Sequence, residues 1–312
     1  MQYYFAPMEG LTDHIYRRLH HTYFPGISKY YTPFLSPTVH RQLTVKEKKE
    51  LLPVPGLPLV PQLLTKNAED FLWMAQQCKD LGYDEVNLNL GCPSGTVTAK
   101  GKGSGLLQDP ETLDSFLYEI FSRSPLPISI KTRIGFRTPE EFPHLMEVYN
   151  RYPVRELTVH PRVREDFYKG SVDTDAFRYA VEASKMPLCY NGNINTYDDI
   201  EAIHSAFPSV DAVMLGRGLI GDPAMVTPGG ASADVLEAFY NDLLECYTEA
   251  FGSARNAMFR LKENWRYLSC RFDGSERLYK KLRKTTDIAE YRRLTAEIFR
   301  TLPLLPALNA DW

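Results

Sequence analysis

The sequence contains no apolar run approaching the ~18 residues that a membrane-crossing helix needs, so no helical span is expected. It has no CxxC pair and no cluster of histidines, which leaves no zinc site of ordinary spacing. Its five cysteines, Cys78, Cys92, Cys189, Cys246 and Cys270, are odd in number and widely spaced, which favours reduced thiols over a disulfide framework. The opening MQYYFAPMEG has no basic segment leading into an apolar one, so no secretory leader is expected, and the protein is read as cytoplasmic. Charge of one sign is also missing: 36 Lys and Arg face 39 Asp and Glu, a formal net charge of −3. A globally basic protein is excluded, but a local basic face is not. There is no solenoid-type repeat. The Gly-rich stretch 95–105 (GTVTAKGKGSG) is neither a Walker nor a dinucleotide fingerprint, and is expected to be a mobile loop over a site.

What is present is a chain of 312 residues, 44% hydrophobic, in which short apolar, β-rich runs alternate with helix-like stretches. Eight such runs occur, at 3–7, 29–32, 59–63, 85–89, 128–132, 156–159, 187–190 and 212–215, with starts roughly 25 to 45 residues apart, room for a crossover helix in each gap. The gaps at 67–82, 109–122 and 196–207 carry polar caps and apolar residues at helical spacing. Eight βα units over about 225 residues point to a closed (β/α)8 TIM barrel, with an open doubly wound sheet as the alternative.

The alternation stops after Pro223. Residues 1–224 are therefore read as the barrel, 225–233 as a Pro/Gly/Ser linker and 234–312 as a small all-α unit with helices near 234–251, 254–270, 275–284 and 287–300. Between Arg255 and Arg300 there are thirteen basic residues against six acidic. Arg260, Lys262, Arg266, Lys280, Lys281, Arg283 and Lys284 carry much of this local basic face.

Barrel enzymes place their chemistry at the carboxyl ends of the strands. In this sequence those ends carry Pro7-Met8-Glu9, Gln62, Asn89 and Cys92, Lys131 and Arg133, His160 and Arg162, Asn191-Gly192-Asn193, and Gly216-Arg217. The opposite ends carry ordinary turn and charged residues. Gly192, Gly216 and Arg217 follow the last two runs, the usual phosphate position of such barrels, where glycine lets backbone N–H groups approach an anion. Lys131 could stabilise negative charge on a reduced ring. Cys92 sits in a Gly-Cys-Pro-Ser turn and could give up a proton or attack as thiolate. The other four cysteines are expected to be packing residues, as are or lie on the surface His14, His20, His21, His40, His144 and His204.

APMEG, NLNLGCPSGTV, IKTRIG, the HPR of the sixth run, NGN and GRG resemble, in order and over the whole chain, the dihydrouridine synthase family, flavin-dependent enzymes that reduce particular uridines in transfer RNA. The resemblance implies FMN as cofactor, NADPH as reductant, tRNA as partner, and neither metal nor membrane. It implies Cys92 as the acid that protonates C5 of uracil, with hydride going from reduced FMN to C6. Pro7, Met8, Glu9, Gln62, Lys131 and His160 would contact the flavin ring or its ribityl chain, and Asn191, Gly192, Asn193, Gly216 and Arg217 the phosphate region. Asn89, Arg133 and Arg162 would face the target nucleotide. Asn193 departs from the family pattern, standing where an acidic residue is often found. A flavin barrel acting on a small ring such as dihydroorotate, and a non-catalytic RNA-binding protein, are the competing readings; a monomer is the default, and the uridine position is not legible.

Overall fold

The computed structural model describes residues 1–38 and 40–309. Nine strand segments form one all-parallel sheet: β1 (Gln2–Phe5), β2 (Lys29–Tyr31), β3 (Leu59–Val60), β4 (Gln62–Leu63), β5 (Val86–Leu90), β6 (Ile128–Gly135), β7 (Leu157–Val163), β8 (Leu188–Tyr190) and β9 (Ala212–Leu215). The hydrogen-bonded order runs β3-β2-β1-β9-β8-β7-β6-β5-β4. Its two ends, β3 and β4, are one stretch of chain interrupted at Pro61, which has no N–H to give to a ladder. That stretch pairs with β2 on one side and β5 on the other, and so closes the barrel. The eighth expected run is thus intact, the third is split, and β6 and β7 extend past their expected ends to carry Arg133 and Arg162 inside the strands.

Between strands come α1 (His14–Tyr23), α2 (Val45–Glu50), α3 (Ala68–Asp80), α4 (Gly95–Thr98), α5 (Pro110–Arg123), α6 (Phe142–Tyr149), α7 (Thr174–Ala183), α8 (Tyr197–Ala206) and the short α9 (Arg217–Gly221). The sequence caps them as read. Asn67 accepts from Asp70 N, Asp109 from Thr112 N with Pro110 in the first turn, and Thr196 exchanges bonds with Asp199 in a capping box.

Side chains of period two divide the strands between two faces. Phe5, Tyr30, Leu63, Leu88, Ile130, Val159, Tyr190 and Leu215 point outward into one large apolar layer shared with the helices. Tyr4, Ala6, Tyr31, Val60, Cys189, Ala212 and Met214 form a separate inner cluster. At the end of the barrel away from the site, Tyr4 donates to Glu156 at 2.7 Å and Lys29 bridges Glu85 and Glu156.

After the barrel come α10 (Ala233–Phe251), α11 (Ala254–Leu268), α12 (Glu276–Lys284) and α13 (Ile288–Thr301). Phe239 of α10 packs edge-on against Tyr16 of α1 and Phe24 just after it, while Tyr240, Trp265 and Phe299 fill the centre of the helical unit. Met225 and Val226, at the head of the expected linker, are buried.

One expectation fails here. Residues 95–105 are not a loose loop: α4 and a 3-10 segment, Gly103–Gln108, pack beneath the Cys92 turn, with Gly103 through Leu107 buried. The glycines serve close packing, since a Cβ on Gly105 would lie 2.9 Å from Thr98 O. Cys78 and Cys189 are buried as expected, and Cys246 and Cys270, half-buried, pack against the margin of the core.

Candidate active site

The mouth at the carboxyl ends of the strands is a cavity of about 470 Å³, within the range of small-molecule and cofactor sites. Every site residue expected from the sequence lines it: Pro7, Met8, Glu9, Gln62, Asn89, Cys92, Lys131, Arg133, His160, Arg162, Asn191, Gly192, Asn193, Gly216 and Arg217.

The Cys92 turn is held from inside the barrel. Gln62 donates to Asn87 and Asn87 to Ser129, while Asn89 donates to the Gln62 side-chain carbonyl at 2.8 Å. Asn89 Oδ1 then accepts from both Gly91 N and Cys92 N, at 3.1 and 2.9 Å. From the other side, Ser104 donates to Cys92 O through Oγ at 2.8 Å. The thiol is therefore placed by a chain of polar contacts that spans three neighbouring strands, β4, β5 and β6. Burial pushes its pKa up, and Ser94 N–H, Arg133 and Lys131 only partly oppose this, so at neutral pH it is a thiol that holds its proton.

Lys131 donates to Asn191 Oδ1 at 2.7 Å, and Asn191 Nδ2 donates in turn to Met214 O. Burial, with Arg133 adding to it, lowers the Lys131 pKa from 10.5 to about 8. His160 accepts at Nε2 from Arg162 at 2.9 Å. A guanidinium has only donors, so the ring proton must sit on Nδ1. Burial and four surrounding cations hold this histidine neutral, its pKa well below the ordinary value.

The two buried arginines act as braces. Arg133 donates to the carbonyls of Gly91, Val163 and Phe167 and so ties the ends of β5, β6 and β7 together. Arg162 donates to Lys169 O, Gly170 O and Asn193 Oδ1 as well as to His160. Asn193 has φ +46, a left-handed conformation that Asn tolerates better than most residues. A Cβ on Gly218 would lie 2.2 Å from Ile194 O, which shows how closely α9 approaches the loop after β8.

Several lining residues carried no local signal. Tyr168, exposed and in the loop after β7, faces His160 with ring centroids 6.1 Å apart and takes Arg133 and Arg217 against its face. Arg266 and Tyr267 reach the cavity from α11, so the helical unit forms part of its wall. Arg266 belongs to the basic face read from the sequence, whereas Tyr267 carries no such signal. Of the other tail cations, Arg260 is bound to Asp13 at 2.6 Å and Lys262 to the carbonyls of Arg283 and Thr285; both hold structure together.

The lining contains five cations, Lys131, Arg133, Arg162, Arg217 and Arg266, against one carboxylate, Glu9. Such a wall suits an anionic, partly flat ligand. No cluster of His, Cys, Asp and Glu able to hold a metal occurs among the described residues, and none of their helices is long and apolar enough to cross a membrane.

Comparison with known proteins agrees with this geometry. Residues 4–299 match the family described as dihydrouridine synthase. A probable tRNA-dihydrouridine synthase of Rhizobium leguminosarum is 30% identical over 78% of this chain and 79% of its own. A tRNA-dihydrouridine(16) synthase of Pseudomonas putida is 28% identical over 94% of this chain and 96% of its own. Among solved structures, morphinone reductase shares the barrel, with a TM-score of 0.50 at 14% identity over 72% of this chain and 84% of that one.

Proposed function

The chain belongs to the dihydrouridine synthase family, an oxidoreductase family, and from that premise we propose that it reduces the C5=C6 bond of uridines in transfer RNA with FMN as its cofactor and NADPH as its reductant. The observation that carries this reading is Cys92: a protonated thiol on a doubly anchored turn, at the edge of a cationic cavity wide enough for a ring system.

Residues lining the cavity fit a flavin mononucleotide. Gly192, Asn193, Gly216 and Arg217 would hold its phosphate end, where Arg162 braces the loop and two residues lack a Cβ. Met8, Gln62, Lys131 and His160 would meet the ring, with Pro7, Glu9 and Asn191 beside them. When bound and reduced, the flavin supplies the hydride that adds to C6. Lys131 would keep a positive charge against the anionic ring. His160, neutral and with its proton on Nδ1, would offer a hydrogen bond without adding charge.

The protein's own chemical step is a proton transfer. Conjugation with the C4 carbonyl makes C6 electrophilic, so once hydride has arrived the electron pair at C5 needs one proton. The Cys92 S–H supplies it, and the thiolate left behind is stabilised by Arg133 and Lys131. One acid suffices; no triad is required. The uracil must leave its stack to reach this thiol, so a flipped-out nucleotide is bound. Asn89 and Arg133, at the same edge of the cavity, would frame it, and Tyr168 presents a flat face beside them.

Dihydrouridine mapping in tRNA from cells with and without the protein tests the reading and names the position. Cys92→Ala should abolish the product while leaving flavin absorbance and tRNA binding in place. Dihydrouridine at wild-type levels in that variant would remove the acid from the scheme.

A further inference from the structure

A second set of cations lies on the barrel rim, outside the cavity. Lys66 follows β4, and Lys100 and Lys102 sit in the turn between α4 and the 3-10 segment. Lys66 leans over that turn, its Nζ 3.3 Å from where a Cβ on Gly101 would stand. Lys102 is half-buried and donates to Ser36 Oγ at 2.9 Å, while Lys66 and Lys100 are exposed. Among the described residues none of the three forms an ion pair. The carboxylate facing Lys102 is Asp70, and it is shared with Arg41 at 3.4 Å. Burial lowers the Lys102 pKa, and Lys100 and Lys66 lower it further against the pull of Asp70. Three like charges thus crowd one turn with little to neutralise them, the arrangement expected where an anion arrives from outside.

The position of this turn matters as much as its charge. Ser104, at its end, is bonded to Cys92 O through both N and Oγ, and a Cβ on Gly103 would lie 3.1 Å from Cys92 Cβ. In the ring of strands the helical tail rests on the β1 and β9 side, through α1 and α9. The lysine turn belongs to the β4 and β5 side, across the mouth. A uridine drawn out of its stack toward Cys92 needs its backbone held on both flanks, and the tail supplies only one.

We infer that Lys66, Lys100 and Lys102 bind phosphates of the RNA backbone beside the target uridine, opposite the helical tail, so that the strand is gripped across the mouth. The inference rests on the proposed tRNA substrate and adds where and by which residues it is held. The test is tRNA binding by the flavin-loaded full chain over a salt series. In Lys66→Ala/Lys100→Ala/Lys102→Ala the dissociation constant should rise about tenfold or more at ~0.15 M salt, and the slope of log K against log salt should fall by about 2, the value for three lost phosphate contacts. Flavin absorbance and the melting midpoint should stay at wild-type values. Lys102→Arg should keep the wild-type slope, separating charge from collapse of the turn. A triple variant with wild-type affinity and slope, or a Lys102→Arg variant as weak as the alanine one, overturns the inference while leaving the function intact. A wild-type protein that neither binds tRNA nor forms dihydrouridine overturns the functional reading, and this inference with it.

Discussion

Cys92 and Lys131 illustrate how burial sets chemistry at single residues. The thiol is kept protonated by desolvation, which suits the donor role proposed for it. Cys92→Ser puts a far weaker acid in the same place, and turnover should fall about 10²-fold or more, with flavin absorbance unchanged; single-turnover oxidation of the reduced flavin by tRNA measures it. Lys131 is the opposite case, a cation that burial disfavours. Its pKa in the folded protein is about 8 against an ordinary 10.5, so between those values the unfolded chain binds more protons. Stability of the flavin-free protein should therefore rise with pH across that window, the penalty being complete below about 8 and gone by 10.5. Lys131→Met should raise stability at pH 7 by about 1–3 kcal/mol and lose that advantage near pH 10.5. Denaturant titrations at the two pH values check this; an undiminished gap at pH 10.5 would mean the effect is packing. The same variant should bind flavin more weakly at pH 7, because the buried charge it removes is the one proposed to face the anionic ring.

At the scale of elements, the site depends on how strand ends are tied to their loops. Asn89 is the last polar link of an internal chain running from Ser129 through Asn87 and Gln62 to two N–H groups of the Cys92 turn. Asn89→Ala leaves those donors unpaired and should cost about 1–3 kcal/mol, with a larger proportional loss in turnover than in tRNA affinity. Gly218 is the matching constraint on the other side. With a Cβ 2.2 Å from a backbone oxygen, Gly218→Ala must separate α9 from the loop after β8. The expected cost is about 3 kcal/mol, and flavin should be lost before RNA binding, as absorbance and filter binding on the same sample would show.

On the scale of the whole molecule, the tail is locked to the first barrel loop. Asp13 caps α1 and also receives Tyr247 OH at 2.8 Å and Arg260 at 2.6 Å, both from the helical unit. Since Arg266 and Tyr267 of that unit line the cavity, the lock sets how the helical wall stands against the barrel mouth. Arg260→Met breaks a largely buried pair and should cost about 3 kcal/mol. Dihydrouridine should then spread to neighbouring uridines or fall in yield, with flavin binding retained; sequencing-based mapping reads the first and absorbance the second.

The alternation of β-rich runs with capped helices determined the barrel, because a period of two and a capping side chain are local properties. The glycines, the thiol and the cations at strand ends were legible for the same reason: in a parallel barrel all carboxyl ends face one way, so strand position already implies the mouth. Other features needed the folded molecule. Pro61 splits a strand only because both of its neighbours are sheet partners. Residues 95–105 look flexible by composition, yet their glycines permit contact with the Cys92 turn. Arg260 and Lys262 read as surface charges until their partners, Asp13 and two distant carbonyls, are seen beside them. Arg266 and Tyr267 join the cavity from a helix with no barrel signature. Residues 95–105 apart, the deciding neighbour in these cases is remote along the chain, and no local pattern encodes an approach between segments that only packing brings together.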